Sequence, residues 1–371
     1  MRWPAKARGA IAFGLIFFCY FFCIKAKKVR KKRMSEKVES YRYKIIKRLT
    51  PTINKTKLIK NFFKFIPMNT TTRRQFIKTT TVAAAAISIT GLPITKKQTP
   101  LLSFSTLGCP DWTFDKILRF ASDNKYDGIE MRGILRELYL PKCAEFNSPE
   151  NITSTKQKML DYKLKFTDLG SSCALHHKEG AERQKNLDEG KRFIDLAQQI
   201  NCPNVRVFPN EIPKDDTRKA VIDLIIQGLK ELGDYAKSSN VKVLMESHGD
   251  ATNTSELKQM MEAVAKQNVG LVWDVVNMWT ITKEPPANVY AQLKPYIHHT
   301  HIKDAKMVDD KPQYVFLGTG DTPIMQAVEL LYNDDFKGYY SFEWEKLWHP
   351  DIADPEIALA DYAKKMKEKY K

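Results

Sequence analysis

The chain has 371 residues and a formal net charge of +17, a balance that taken whole would point to nucleic acid or an anionic membrane surface as the partner. The charge is unevenly spread: residues 1–100 hold 24 Lys and Arg against 2 Asp and Glu, whereas residues 101–371 hold 36 against 41 and carry a net −5. The larger part of the protein is therefore mildly acidic, which argues against a surface built to grip a phosphate backbone.

In chain order, the first feature is AIAFGLIFFCYFFCI at 10–24, an apolar run flanked by lysines and arginines. It is shorter than the ~20 residues a membrane-spanning helix needs and reads as a signal-peptide core or a poor anchor. A basic stretch with no sustained period follows to residue 67. From Met68 there is a polar basic start, the pair Arg73 and Arg74 ahead of Phe76, Ile77 and Lys78, and a mildly apolar run from Val82 to Leu92. This pattern resembles a twin-arginine export signal. Such signals sit at a true N-terminus, so the expected organisation is an upstream extension at 1–67 that is not part of the mature protein, a signal segment at 68–100, and one folded domain at 101–371. The corresponding location is periplasmic, with membrane contact only during export, or tethered if the run at 10–24 is retained. The alternative is a basic membrane-proximal tail that carries a chance arginine pair.

The remaining residues suffice for one large core. Strand-like runs stand at 101–108, 126–132, 164–172, 204–209, 241–249, 269–274, 296–304 and 338–345, with amphipathic helical stretches at 113–124, 182–200, 217–237, 255–266 and 323–332. Eight strands, each followed by a helix, predict an α/β fold: a single (β/α)8 barrel preceded by a non-barrel N-terminal segment. A doubly wound open sheet is the competitor, but no G-x-G-x-x-G follows the first strand. Cys109, Cys143, Cys173 and Cys202 are too widely spaced for a zinc knuckle or a redox C-x-x-C and read as buried small hydrophobes. The lysine-rich DYAKKMKEKYK at the C-terminus reads as a solvated helix end.

All seven histidines fall in a proposed strand or just after one: His176, His177, His248, His298, His299, His301 and His349. In such barrels chemistry sits at the C-terminal ends of the strands. Side chains at i and i+2 share a face, so the run YIHHTHIKD turns His299, His301 and Lys303 inward and His298 toward the helices. The same parity places Glu246 with Leu244 and His248, Asp274 with Val272, and Glu343 with Ser341 and Glu345. Glu246, Asp274, His301 and Glu343 then converge from four consecutive strands. Three carboxylates and an imidazole suit one divalent cation, Mn2+, Mg2+, Co2+ or Zn2+; without one, the carboxylates repel each other. The bland alternative, polar caps bonded to loop backbone, is ordinary for one residue and weak for four in register.

The segments YDGIEMR, VKVLMESHGD, VGLVWDVVN, HHTHIKD and GYYSFEWE, in this order and spacing, resemble the sugar phosphate isomerase/epimerase proteins of the xylose isomerase-like TIM-barrel superfamily. That resemblance implies a metal held by Glu246, Asp274, His301 and Glu343. It also implies a hydroxy-ketone bound across the metal, which stabilises an enediolate, and Glu246 and Glu343 as acid/base pair on opposite faces. Glu130, Arg132, His177, Arg206, His248 and Lys303, at strand C-terminal ends, are the expected substrate contacts, with Lys303 alternatively a structural partner of Asp304 or Glu343. The chain departs from the ketohexose 3-epimerase pattern at Thr252 and Asn277, where those enzymes carry Glu and His, which puts simple free-ketohexose epimerisation in doubt. A small carbohydrate substrate is expected, with keto-inositols, hydroxypyruvate or 3-keto-glycosides as alternatives and elimination as an alternative outcome. No nucleic-acid partner is expected; a homodimer is compatible. A non-catalytic carbohydrate-binding barrel, using Trp112, Trp344 and Trp348, is the reading from a different class.

Overall fold

The computed structural model describes residues 97–370. The upstream extension, the apolar run at 10–24 and the arginine pair of the export-signal reading lie outside the described residues. Among the described residues, no helix is long and apolar enough to cross a membrane.

Eight parallel strands close into a barrel. They are β1 (Leu101–Ser105), β2 (Gly128–Met131), β3 (Lys165–Ala174), β4 (Asn204–Phe208), β5 (Lys242–Glu246), β6 (Val269–Asp274), β7 (Ile297–Ile302) and β10 (Tyr339–Phe342). Strand β1 pairs with β10 on one side and β2 on the other, so no edge is left open. Seven longer helices surround it: α1 (Phe114–Asp123), α2 (Pro149–Asp161), α3 (Ala181–Ile200), α4 (Arg218–Tyr235), α5 (Thr254–Val264), α8 (Ile324–Asn333) and α9 (Pro355–Lys369). Between β6 and β7 two short helices, α6 (Val275–Thr282) and α7 (Pro286–Leu293), replace a single long one.

Local chemistry accounts for the boundaries. Thr113, Ser148 and Asn253 cap α1, α2 and α5 by accepting a backbone N–H of the first turn. Helix α3 turns Leu187, Phe193, Ile194 and Ala197 inward at helical spacing. Between helices and barrel lies one continuous apolar layer, in which the Phe342 ring stacks on Tyr362 at 4.5 Å.

The expectation that a helix follows every strand fails after β7. There an antiparallel hairpin, β8 (Asp304–Val308) and β9 (Lys311–Val315), intervenes before α8. Asp304 is the reason: its carboxylate accepts from the backbone N–H of Ala305, Gly318 and Gly320 and from the Thr322 hydroxyl, closing the excursion at its base. The four barrel cysteines are free and buried, as read from their spacing.

Candidate metal centre

Strand register builds the site. Asp274 pairs with His301 across β6 and β7, and His301 pairs with Ser341 across β7 and β10, so Glu343, two residues beyond Ser341, stands one step nearer the C-terminal mouth. Glu246, at the end of β5, pairs with Val272, two residues before Asp274. Ligand atoms from Glu246, Asp274, His301 and Glu343 all come within 4.8 Å of one another, and all four residues are buried. His301 Nδ1 is the hub, 3.2 Å from Glu343 Oε1, 3.6 Å from Glu246 Oε1 and 3.8 Å from Asp274 Oδ2.

The second oxygen of each carboxylate is spoken for. Glu246 Oε2 lies 3.2 Å from Arg206 Nε, and Glu343 Oε2 accepts from Lys303 Nζ at 2.6 Å. Asp274 Oδ1 accepts from the Asn277 amide and so caps α6, while Oδ2 lies 2.7 Å from Lys303 Nζ. Glu246 Oε2, Asp274 Oδ2 and both His301 nitrogens have no hydrogen-bond partner of good geometry. Of these, His301 Nδ1 and Asp274 Oδ2 face each other across the centre at 3.8 Å and are what a cation would satisfy, and a three-oxygen, one-nitrogen set fits Mn2+, Mg2+, Co2+ or Zn2+.

The electrostatics agree. Burial alone would raise the Glu343 carboxyl, but His301 and Lys303 hold it well below the usual range. Burial likewise works against the depressed Glu246 carboxyl, and His301 and Arg206 outweigh it. Against burial, the facing carboxylates of Glu343, Glu130 and Glu246 push His301 far above an ordinary imidazole, so a proton occupies the centre of the cluster.

Below His301 is a second polar layer. Glu130 accepts from the Ser341 hydroxyl at 2.8 Å, faces His299 Nε2 at 2.9 Å, and lies 3.3 Å from His301 Nε2. Sequence reading grouped Glu130 with the substrate contacts because it lies near a strand end; at 1 % exposure it sits beneath the imidazole instead. There it faces the Nε2 edge of His301, whose Nδ1 edge is turned to the quartet. Asp168, opposite Glu130 on β3, was not singled out from sequence; burial pushes its carboxyl up to about 7.

Of the other expected contacts, Arg132 and Arg206 lie side by side across Gly170. Lys303 is held by Asp274, Glu343 and Glu345, which selects the Glu343 partnership over Asp304. His248 packs on Phe208 at the rim, and His177 stacks on His176 at 4.1 Å beside a groove that also takes in Ser172, Asn210 and Glu211. Asn277, noticed in the sequence only as a departure, belongs to the site: its Nδ2 donates to Glu246 Oε1 at 3.4 Å. Trp112 and Trp344 are core residues and offer no face to a sugar, whereas Trp348 is exposed.

A 3-dehydroshikimate dehydratase from Bacillus anthracis is 23% identical over 266 residues, spanning 67% of this chain and 91% of that protein. An inosose isomerase from Halalkalibacterium halodurans is 26% identical over 167 residues, 43% of this chain and 56% of that protein. Among solved structures, an IolI protein with a bound zinc atom superposes with a TM-score of 0.58 at 17% identity, covering 73% of this chain and 99% of its own. The family model described as xylose isomerase-like TIM barrel matches residues 118–367, so this chain belongs to the xylose isomerase-like TIM-barrel family.

Proposed function

We propose that the barrel is a divalent-metal-dependent isomerase or epimerase that acts on a keto-sugar or related polyhydroxy ketone by removing a proton α to the carbonyl. The observation that carries this is the buried quartet of Glu246, Asp274, His301 and Glu343, with ligand atoms within 4.8 Å at the C-terminal mouth of the barrel. A bound divalent cation would supply Lewis-acid polarisation of the substrate carbonyl.

The protein's own residues set the rest. Glu246 and Glu343 are ionised near neutral pH, because neighbouring cations depress both carboxyls. Each can therefore accept a proton, but a depressed pKa makes each a weak base, so the carbon acid must be made stronger from the carbonyl side. Arg206 and Asn277 hold Glu246, and Lys303 holds Glu343, which limits the swing of either carboxylate toward substrate. Lys303, kept protonated by Asp274, Glu343 and Glu345 against the effect of burial, is engaged with all three carboxylates and acts as a fixed cation that orients them rather than as an acid. The dehydratase among the relatives favours dehydration on the same site as the second reading. The acidic charge of residues 101–371 supports a small-molecule substrate over nucleic acid. We further propose that the export signal read at 68–100 operates and that the substrate is met outside the cytoplasm.

The test is metal content by mass spectrometry of the purified protein and its His301→Ala and Glu246→Ala variants, after incubation with Mn2+ and desalting. About one ion per chain in the wild type, lost in both variants, is the expected result, followed by solvent deuterium uptake α to the carbonyl of keto-sugars. A folded wild type that retains no ion refutes the reading and leaves the carbohydrate-binding barrel in front.

A further inference from the structure

Three arginines are buried among the described residues: Arg132, Arg183 and Arg206. Arg183 lies 3.2 Å from Glu179 and Arg206 lies 3.2 Å from Glu246, whereas no carboxylate of the described residues comes within 4.0 Å of Arg132. Burying a guanidinium without an anion is costly, and buried charges are ordinarily paired. Arg132, at 5 % exposure, breaks that rule beside the candidate metal centre.

Its surroundings are arranged to hold it there. Nη1 donates to the Gly170 carbonyl at 3.4 Å and Nη2 to the Ser172 hydroxyl at 3.0 Å. Arg206 Nη1 donates to the next carbonyl, Ser171, at 2.9 Å, while its Nε has no well-aligned acceptor. Strand β3 thus carries two guanidiniums side by side, and Gly170 makes this possible. A Cβ there would lie 2.8 Å from Arg132 Cδ and 2.9 Å from Arg206 Nη2, so any side chain would drive them apart. Like charge adds to the strain: burial first, then Arg206, outweighs the more distant carboxylates of Glu189, Glu246 and Glu343 and brings the Arg132 pKa down to about 9. Ser172, which anchors Arg132, also lines the rim groove, where His176, His177, Lys185 and Asn210 stand with the carboxylates of Glu182, Glu189 and Glu211.

We infer that Arg132, with Arg206 beside it, is the anchor for a carboxylate on the substrate, so that the enzyme takes a hydroxy-keto acid in preference to a neutral sugar. One guanidinium without a contacting carboxylate matches one negative charge better than two, because Arg206 lies 3.2 Å from Glu246 while no carboxylate of the described residues touches Arg132. A planar carboxylate also suits the guanidinium fork. This rests on the metal-dependent reading above and narrows its substrate.

The experiment uses the Mn2+-loaded full chain and three probes that differ at one carbon: D-fructuronate, with a carboxylate at C6, D-fructose, with a hydroxymethyl, and D-fructose 6-phosphate. Calorimetric titration should show fructuronate binding about tenfold or more tighter than fructose, the yield of one new charge-assisted contact, and also tighter than the phosphate. Arg132→Gln should erase the preference with metal content retained, Arg132→Lys should keep part of it, and Gly170→Ala, which displaces both guanidiniums, should weaken it. Fructuronate binding no tighter than fructose, including no binding of either, overturns the inference. So does a preference that survives in Arg132→Gln, since the carboxylate would then be held elsewhere, or a preference for the phosphate. Loss of manganese from the wild type would instead mark failure of the metal reading, so the two failures are distinguishable on the same samples.

Discussion

Replacing Glu130 with Gln tests whether the polar layer beneath the quartet governs metal affinity. The two Glu130 oxygens meet three partners, the Ser341 hydroxyl at 2.8 Å, His299 Nε2 at 2.9 Å and His301 Nε2 at 3.3 Å. Glutamine keeps the shape but has one acceptor oxygen, and its amide then faces a donor. His301 loses the anion that faces its Nε2 edge and orients the ring. Losses of this kind weaken metal binding by roughly 10- to 100-fold, about 1.4 to 2.7 kcal/mol. A second effect opposes it. Glu130 is also one of the carboxylates that raise the His301 pKa, so the substitution makes the imidazole easier to deprotonate and eases competition between proton and metal. The positioning loss should therefore be partly masked near neutral pH and larger at alkaline pH, where the proton competes less. Competition titration of Mn2+ against a chelator at two pH values reads this directly, with circular dichroism to confirm folding. Unchanged affinity at both values in a folded variant would refute the positioning role.

Metal should also stabilise the fold. At a free Mn2+ concentration near 100 times Kd, binding to the native state alone adds about 2.7 kcal/mol, roughly 5–10 °C in Tm for a domain of this size. Chelator should remove the increment, and Asp274→Asn should show little of it; an equal rise in that variant would place the ion elsewhere. His298 supplies the pH dependence. It faces the helix layer, where burial and then Lys242 bring its pKa from 6.5 to about 4. Folding favours the neutral ring, so its contribution is complete above the unfolded value and is lost as pH falls through about 4. His298→Gln should flatten the decline in denaturant stability between these two values. A decline of unchanged steepness would assign the acid sensitivity to other groups.

Much of the site was legible one strand at a time. Parity along YIHHTHIKD separates His299, His301 and Lys303, all buried inside the barrel, from His298 on the helix side, because a strand's two faces differ wherever one of them lines a closed interior. The same parity selected Glu246, Asp274 and Glu343, and the alternation of strand and helical runs predicted the barrel that closes around them. The hairpin at 304–315 was missed because it depends on one carboxylate that gathers donors from residues up to eighteen positions away, which no local period records.

What the chain by itself determined is therefore which residues face the barrel axis and the order in which the strands deliver them, since both follow from side-chain alternation and from the short-range preference for strand or helix. What only the tertiary structure decided is height along the axis and choice of partner. Glu130 lies near a strand end as Glu246 does, yet the stagger between neighbouring strands drops it beneath His301 and lifts Glu246 into the quartet. Lys303 had two acidic neighbours to choose from, and loop closure occupied one of them, leaving it to Glu343. Arg132 and Arg206 are 74 positions apart and meet only because β3 runs between their strands with a glycine at the crossing. Register between strands is set by how the whole barrel closes, and closure is a property of all eight strands together.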